Sequence, residues 1–141
     1  MEDTHELNDT FSGGLLQAIG FVRLLQSDGV QGSVRMLFDG RPEFTHSHGT
    51  IVQGGILTAW MDHAMARAVA ARDPSVVVAT LEIKTSFLAR VGPGPSVVAA
   101  QILKWGRTVA FLEAQVMDES GRVLAKATSC GMVSGGRAKA A

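Results

Sequence analysis

Hydrophobic and polar residues alternate with a period of two along most of this chain, which is typical of β-strands that bury one face. The first two such segments, Phe21 to Gln26 and Ser33 to Phe38, flank the turn signal Ser27-Asp28-Gly29 and predict a β-hairpin. A short apolar stretch before them, Leu15 to Ile19, predicts one helical turn. We therefore expect the fold to begin with a helical turn and a hairpin.

One long segment breaks the alternation. Gly49 to Ala71, GTIVQGGILTAWMDHAMARAVAA, is apolar and predicts the main helix. Asp73-Pro74 should end this helix, because proline cannot continue the backbone hydrogen bonds and the residue before it avoids helical backbone. A helix with so few polar positions must be covered on most of its sides.

The remainder of the chain predicts four strands in an antiparallel meander, with breaks at Gly92–Pro95, Trp105-Gly106 and Glu119–Gly121. In the first of these strands two sets of residues are expected on opposite faces: Leu81, Ile83, Thr85 and Phe87 against Thr80, Glu82, Lys84 and Ser86. The whole pattern predicts an α+β fold, in which a curved antiparallel sheet of about six strands wraps one long central helix.

Composition narrows the class of protein. A chain of 141 residues can bury a core without disulfides or a structural metal, and we expect one domain over residues 15–133. Residues 1–14 and 134–141 lack a periodic pattern and are expected to be mobile tails. Thirteen basic and thirteen acidic side chains leave no formal net charge, so the overall charge favours neither nucleic acid nor an anionic membrane as a partner.

The cellular location is also predicted from absences in the sequence. The single cysteine, Cys130, allows no intrachain disulfide, which is simplest to reconcile with a reducing compartment. No apolar run approaches the ~20 residues of a membrane span, and the first residues are too polar and acidic for a secretory signal. These features predict a cytoplasmic protein that does not enter a membrane.

Three segments carry a resemblance to a known family: RPEFTHSHGTIVQGGILTAWMDHAMARA, TLEIKTSFLARVGPG and WGRTVAFLEAQVMDESGRVLAKAT. Together they resemble the phenylacetyl-CoA thioesterase-like group of hotdog-fold acyl-CoA thioesterases, in the 4-hydroxybenzoyl-CoA thioesterase superfamily. The resemblance covers Leu15 to Val133, and its most specific element is a Gly-Gly helix start with an acid eight residues after the first glycine, Gly54 to Asp62. It implies a hotdog fold, hydrolysis of an acyl-CoA thioester, no cofactor besides the coenzyme A of the substrate, and a homodimer or homotetramer.

The resemblance also implies site residues. Asp62 is the expected catalytic carboxylate, acting as nucleophile or as general base, and Gly54 is expected to donate its backbone N–H to the thioester carbonyl. Gln53 would shape the same pocket, and Thr80 stands where relatives place a Ser or Thr near the attacking carboxylate or water.

The loop before the two glycines departs from the family pattern. Relatives often carry an asparagine a few residues before Gly-Gly, where this chain reads Thr45-His46-Ser47-His48, so the residue that takes the asparagine's role is left open among His46, Ser47 and His48. No third ligand stands at metal-binding spacing to the two histidines, so we predict no metal. The other candidate substrate-binding residues are Gly55, Thr58 and Met65, and, for the phosphates of coenzyme A, Arg90, Lys104 and Arg107.

Helix geometry adds a constraint that does not depend on the resemblance. The first turn of a helix leaves unpaired N–H groups at the positive end of its dipole, and these can stabilise the charge that develops on a thioester oxygen. Eight residues at ~1.5 Å each put Asp62 about 12 Å along the axis from Gly54, whereas both groups must contact one thioester. Two antiparallel helices related by a two-fold axis would solve this, with Gly54 of one subunit facing the carboxylate of the other.

Two alternatives to thioester hydrolysis stay open. Hydratase or dehydratase chemistry on an enoyl-CoA normally needs a His paired with an acid, and this chain has His only beside Asp62, at His63, or in the loop. A non-catalytic acyl-CoA-binding module would keep the pocket and give Asp62 no reactive role. Turnover of enoyl-CoA would favour the first alternative, and tight thioester binding without turnover would favour the second.

Overall fold

The computed structural model describes residues 14–135, which form a six-stranded antiparallel sheet with one long helix packed on it. The helices are α1 (Leu15–Ala18) and α2 (Gly54–Arg72), and a 3₁₀ turn spans Pro42–Phe44. The strands are β1 (Phe21–Asp28), β2 (Ser33–Gly40), β3 (Thr45–His46), β4 (Ile51–Val52), β5 (Val76–Phe87), β6 (Gly94–Trp105), β7 (Val109–Met117) and β8 (Val123–Gly135). The order in the main sheet is β1-β2-β6-β7-β8-β5, and β3 pairs with β4 separately. The predicted α+β fold is confirmed.

The hairpin prediction is confirmed, and so is the main helix, although it begins at Gly54 and not at Gly49, because Ile51 and Val52 pair in β4. β1 pairs antiparallel with β2, and the predicted apolar face of β2, formed by Val34, Met36 and Phe38, is buried. Helix α2 ends at Arg72, and Asp73 caps it in extended backbone immediately before Pro74. The N–H of Asp73 still donates to the carbonyl of Val69, so the last helical hydrogen bond forms before proline interrupts the pattern.

The core lies between α2 and the concave face of the sheet. Trp60 is fully buried there, its ring stacks on Phe38 with centroids 5.2 Å apart, and its Nε1–H donates to the carbonyl oxygen of Ile19 at 2.6 Å. Burial of an aromatic ring with its polar atom paired anchors the helix to the hairpin and to the end of α1. This contact fixes where α2 lies on the sheet.

Strand β5 is an edge strand with a β-bulge. Its pairing with β8 shifts register between Thr80 and Glu82, so Leu81 is the extra residue. The uninterrupted alternation predicted for β5 is therefore wrong at this point. In a regular strand only residues separated by an even number of positions share a face, whereas a bulge lets residues separated by an odd number, such as Thr80 and Thr85, do so. Thr80 and Thr85 both contact α2, whereas Leu81 is 56% exposed.

Smaller features lie outside the predicted pattern. Two-residue strands β3 and β4 form a separate hairpin just before α2, and such short strands leave no recognisable alternation. β8 continues through Ser134 and Gly135, which pair with the start of β5, so the ordered fold extends past the predicted domain end at residue 133. The rest of the two predicted tails, residues 1–13 and 136–141, lies outside the described residues. Within residues 14–135, no helix is long and apolar enough to cross a membrane.

Candidate active site

Asp62 lies midway along α2, on the side that faces the edge strand. The hydroxyl of Thr80 donates a hydrogen bond to Asp62 Oδ1 at 2.7 Å, and Asp62 is half-buried. The bulge at Leu81 lets Thr80, before it, and Thr85, after it, both face the helix. A carboxylate with one oxygen held in this way presents its other oxygen in a defined direction.

The residues one turn to either side of Asp62 have different surroundings. Thr58 Oγ1 donates to Thr85 Oγ1 at 3.1 Å, so a second hydroxyl pair joins α2 to β5. Met65 is only 1% exposed and packs in the hydrophobic core. The single chain thus leaves Met65 no surface with which to contact a ligand, in contrast to its expected role in binding substrate.

His63 follows Asp62 on the helix and is half-buried. Burial lowers the pKa of the His63 imidazole below the ordinary value of 6.5, and the negative charge of Asp62 partly opposes this effect. The neutral imidazole is therefore favoured near neutral pH, and His63 is poorly suited to carry a permanent positive charge beside the carboxylate.

The N-terminus of α2 offers hydrogen-bond donors. Gln53 caps the helix, with its side-chain Oε1 accepting from the N–H of Ile56 at 3.2 Å and its backbone carbonyl accepting from Ile56 and Leu57. Within residues 14–135 the N–H groups of Gly54 and Gly55 have no acceptor. These two groups lie at the positive end of the helix dipole, where an oxyanion is best stabilised.

Side chains pack closely against both glycines at the helix start. A Cβ on Gly54 would lie 2.8 Å from Cζ of Phe87, at the end of β5. A Cβ on Gly55 would lie 2.7 Å from Oε1 of Gln53, so the second glycine lets the capping side chain fold back over the helix. The missing side chain of Gly54 thus leaves room for the aromatic ring beside the helix start.

An open cleft of about 480 Å³ lies beside this helix start. Gly54, Leu57 and Phe87 line it together with His46 and Arg90. The fold thus brings Gly54, His46 and Arg90 together, three residues predicted from separate segments. An apolar wall with one cation at its side suits an extended ligand that carries a negative charge.

The loop between β3 and β4 has unusual backbone geometry. Ser47 and His48 have φ values of 54° and 60°, in the left-handed region that non-glycine residues seldom adopt. The Ser47 hydroxyl is 2.9 Å from His46 Nδ1, and the Ser47 carbonyl accepts from the Thr50 hydroxyl at 2.7 Å. Of the three candidates for the asparagine's role, His46 is the one that lines the cleft.

Two predicted phosphate-binding residues lie elsewhere. Lys104 and Arg107 flank Trp105, whose ring lies 4.9 Å from the guanidinium carbon of Arg72, the last residue of α2. The length of α2 puts this end roughly 27 Å from Gly54. Within one chain, Lys104 and Arg107 are not part of the cleft beside Gly54.

Asp62 and Gly54 do not converge within one chain either. They are separated by two turns of a continuous helix, about 12 Å along its axis. One location thus offers donors and a cleft, and the other offers a positioned carboxylate. Among residues 14–135, no group of three or more His, Cys, Asp or Glu side chains is placed to hold a metal ion.

Phe87 and Thr85 were not singled out from the sequence. Both reach α2 only because of the bulge and the close approach of β5 to the helix, which no local pattern encodes. The one available signal was the position of a large aromatic residue at the end of a strand, just before the loop that leads to Arg90.

A long helix wrapped by a six-stranded antiparallel sheet is the hotdog fold, so the predicted fold is confirmed. The chain belongs to the thioesterase superfamily, whose sequence model matches residues 49–125. That segment includes the Gly-Gly helix start, Asp62 and Thr80.

Individual relatives agree with this assignment. A protein of Saccharolobus solfataricus that is provisionally named an esterase is 30% identical over 87 residues, which are 62% of this chain and 61% of that protein's length. A crystal structure from Ralstonia eutropha JMP134, provisionally named a thioesterase and related to phenylacetic acid degradation, has a TM-score of 0.80 and 25% identity, covering 92% of this chain and 97% of that one. A Streptococcus mutans UA159 protein bound to acetyl-CoA has a TM-score of 0.74 and 19% identity, covering 83% and 90% of the two chains, and supports the fold alone.

Proposed function

We propose that this protein hydrolyses acyl-CoA thioesters at two composite sites of a homodimer, each built from Gly54 of one subunit and the carboxylate of the other. The observation that carries the proposal is the carboxylate itself, Asp62, half-buried on a long helix and held by the Thr80 hydroxyl at 2.7 Å. A carboxylate that only faces solvent needs no such hydrogen bond. A carboxylate that reacts must be held in a fixed orientation relative to the substrate.

The open edge of β5 supports the dimer. β5 has twelve residues and pairs only with β8 in the described chain, so its other edge presents unpaired backbone groups. Two apolar side chains along this strand, Val77 and Leu81, are exposed. A second copy of the same strand, paired antiparallel, would satisfy the backbone groups and cover these side chains.

The contacts of β5 with α2 suggest where the two-fold axis lies. Phe87 contacts Gly54 and Thr80 holds Asp62, so both half-sites are attached to the same strand. Antiparallel pairing about an axis near Ile83 and Lys84 would place Phe87 of one subunit opposite the partner's Thr80. The donors of one subunit would then face the carboxylate of the other.

The reaction follows from that arrangement. The N–H of Gly54 donates to the thioester oxygen and stabilises the negative charge that forms on it. Asp62 either adds to the carbonyl carbon, expelling coenzyme A as its thiolate and leaving an anhydride that water cleaves, or takes a proton from a water that attacks directly. Thr80 is the positioning residue for the carboxylate on both routes. No cofactor is needed besides the coenzyme A of the substrate.

Coenzyme A recognition has a candidate in the cleft. Arg90 lines it beside Gly54, and a guanidinium is the side chain best suited to a phosphate. The S. mutans protein of the same fold is bound to acetyl-CoA, and by analogy with it we propose a coenzyme A thioester as the ligand here. We propose that the protein acts in the cytoplasm, as a homodimer or as a dimer of dimers.

The test is thiol release from a panel of acyl-CoAs that includes acetyl, butyryl, octanoyl, phenylacetyl and 4-hydroxybenzoyl groups. Asp62→Asn should lower kcat about 1000-fold or more, because the amide neither attacks nor accepts a proton. Glu119→Gln, an exposed change in the β7–β8 turn, is the charge-matched control and should keep wild-type turnover.

Each outcome has a distinct meaning. Near-normal turnover by Asp62→Asn would exclude the proposed role of Asp62. Tight binding of acyl-CoA without turnover by the wild type would favour the acyl-CoA-binding module instead. A monomer of full activity, detected by size-exclusion chromatography with light scattering, would exclude composite sites.

A further inference from the structure

Phe87 occupies a place for which the proposed reaction gives no role. Its Cζ, Cε1 and Cε2 atoms lie 2.8, 3.3 and 3.3 Å from the position that a Cβ on Gly54 would occupy. The ring is nevertheless 55% exposed and lines the open cleft. Its tip thus rests on the residue that donates to the substrate while its flank faces the space that the substrate would enter.

The geometry of a bound thioester brings its sulfur and its α-carbon into the region beside this ring, and of these two atoms only the α-carbon carries different groups in different substrates. A hydrogen bond to the Gly54 N–H holds the thioester oxygen about 2.9 Å from the nitrogen. The sulfur and the α-carbon are both bonded to the same carbonyl carbon, so they lie within roughly 5 Å of that nitrogen. An additional methyl on the α-carbon must find room in this small region, part of which the ring tip fills.

We propose that Phe87 is a specificity-determining residue that selects acyl groups at the α-carbon. It admits acyl groups with a methylene next to the thioester carbonyl and rejects groups that branch at that position or join an aromatic ring to it directly. This inference rests on the proposed hydrolysis of acyl-CoA and names the class of acyl group that the same site accepts.

Two pairs of thioesters isolate this property. Butyryl-CoA and isobutyryl-CoA have the same composition and differ only in branching at the α-carbon, and phenylacetyl-CoA differs from benzoyl-CoA by one methylene. The wild type should have the higher kcat/KM for the first member of each pair.

Phe87→Leu removes the three ring atoms that approach Gly54 and keeps an apolar side chain. In this variant the ratio of kcat/KM for isobutyryl-CoA to that for butyryl-CoA should rise about tenfold, the usual effect of one methyl group in a fitted pocket. The ratio is measured within one protein sample, so a loss of folded protein cancels.

Leu88→Ala is the matched comparison. Leu88 is the next residue, is 58% exposed and lines the same cleft, but it is not among the atoms nearest Gly54. Widening the cleft there should change both substrates of a pair alike. An unchanged ratio in Phe87→Leu, or an equal rise in Leu88→Ala, would overturn the role of Phe87 and leave the hydrolase proposal intact. If the wild type cleaves other acyl-CoAs of the panel but none of these four, the selection at the α-carbon is overturned and the hydrolase proposal stands. If it cleaves no acyl-CoA at all, both proposals fail together.

Discussion

The two half-sites on helix α2 differ in what they offer a substrate. At the helix start, Gly54 and Gly55 present N–H groups beside an open cleft, and the part of the chain that the structure describes provides neither an acceptor for these groups nor a carboxylate in the cleft lining. Two turns further on, Asp62 is a carboxylate fixed by Thr80, and the next apolar residue on its stripe, Met65, is buried in the core. Each location lacks what the other supplies.

The proposed composite sites would account for the open edge of β5. A reaction centre that was complete within one chain would gain nothing from an unpaired strand with exposed apolar side chains. Because Phe87 and Thr80 attach the two half-sites to this one strand, pairing of two copies would complete both sites at once. The comparison predicts that damage to one half-site can be complemented by an intact copy in another chain.

The largest effect beyond that of Asp62→Asn is expected from removing the donor. Gly54→Pro deletes the N–H at a helix position where proline is well accepted, and Gln53 already has the extended backbone, φ −63° and ψ 136°, that must precede proline. We expect kcat to fall about 100- to 1000-fold, the usual cost of one oxyanion donor.

Gly54→Ala is the control for the proline variant. It places a Cβ against Phe87 in the same way but keeps the N–H, so its kcat should stay well above that of Gly54→Pro. Steady-state thiol release from the substrate that the wild type prefers measures both variants. Equal activities would mean that the ring contact matters rather than the donor, and the assignment of Gly54 would be wrong.

Mixing two inactive variants tests whether the sites are shared between chains. In a mixed dimer of Asp62→Asn and Gly54→Pro, one site combines the intact Gly54 of the first chain with the intact Asp62 of the second. After unfolding and refolding a 1:1 mixture, half of the dimers are mixed and half of their sites are intact, so about a quarter of wild-type activity should return.

The individual variants, refolded alone, provide the baseline for the mixing experiment. Light scattering should show dimers in every sample. If the mixture is no more active than the two separate variants while dimers are present, each site lies within one chain, and the comparison between the half-sites loses its meaning.

The sequence predicted the frame of this site better than its details. Helix α2 and the long strands follow from periodic burial, which is local in the sequence, and Pro74 and the glycine-rich breaks fix where they end. The bulge at Leu81 is not local in this sense, because its extra residue is defined by pairing with β8. For that reason strict alternation predicts Thr80 on the face opposite Thr85, whereas the resemblance predicts it near the carboxylate.

The contact of Phe87 with Gly54 was out of reach for a similar reason. It depends on how β5 lies across α2, and in the sequence the two residues are separated by most of the helix and the strand. The opposite holds for the distance between Gly54 and Asp62, since helix geometry alone fixes it at about 12 Å. Distances within one regular helix can be calculated from the sequence. Contacts between separate elements of the fold cannot.

A smaller effect is expected at the hydroxyl that orients the carboxylate. Thr80→Val keeps the shape of the side chain and removes the hydrogen bond to Asp62 Oδ1. Because Asp62 would then sample other directions, kcat should fall about tenfold with KM nearly unchanged. Thr80→Ser restores the hydroxyl and should recover most of the turnover. A change in KM alone, or no recovery in Thr80→Ser, would assign Thr80 to packing of the edge strand.

The smallest expected effect is a dependence of stability on pH that comes from His63. It tests whether the surroundings of Asp62 are more enclosed than the cleft beside Gly54. Burial holds the pKa of His63 in the folded chain below 6.5, its ordinary value, so the unfolded chain binds a proton more readily. The contribution of neutral His63 to stability should be complete above pH 6.5 and should be lost as the pH falls through the folded-state pKa. This loss of stability cannot exceed about 1.4 kcal/mol per pH unit for one proton.

Urea unfolding of the wild type and of His63→Gln between pH 8 and 5 measures this loss. The free energy of unfolding of the wild type should fall relative to that of His63→Gln as the pH is lowered. A difference that is independent of pH would show that the surroundings of His63 are as open to solvent as those of the cleft beside Gly54.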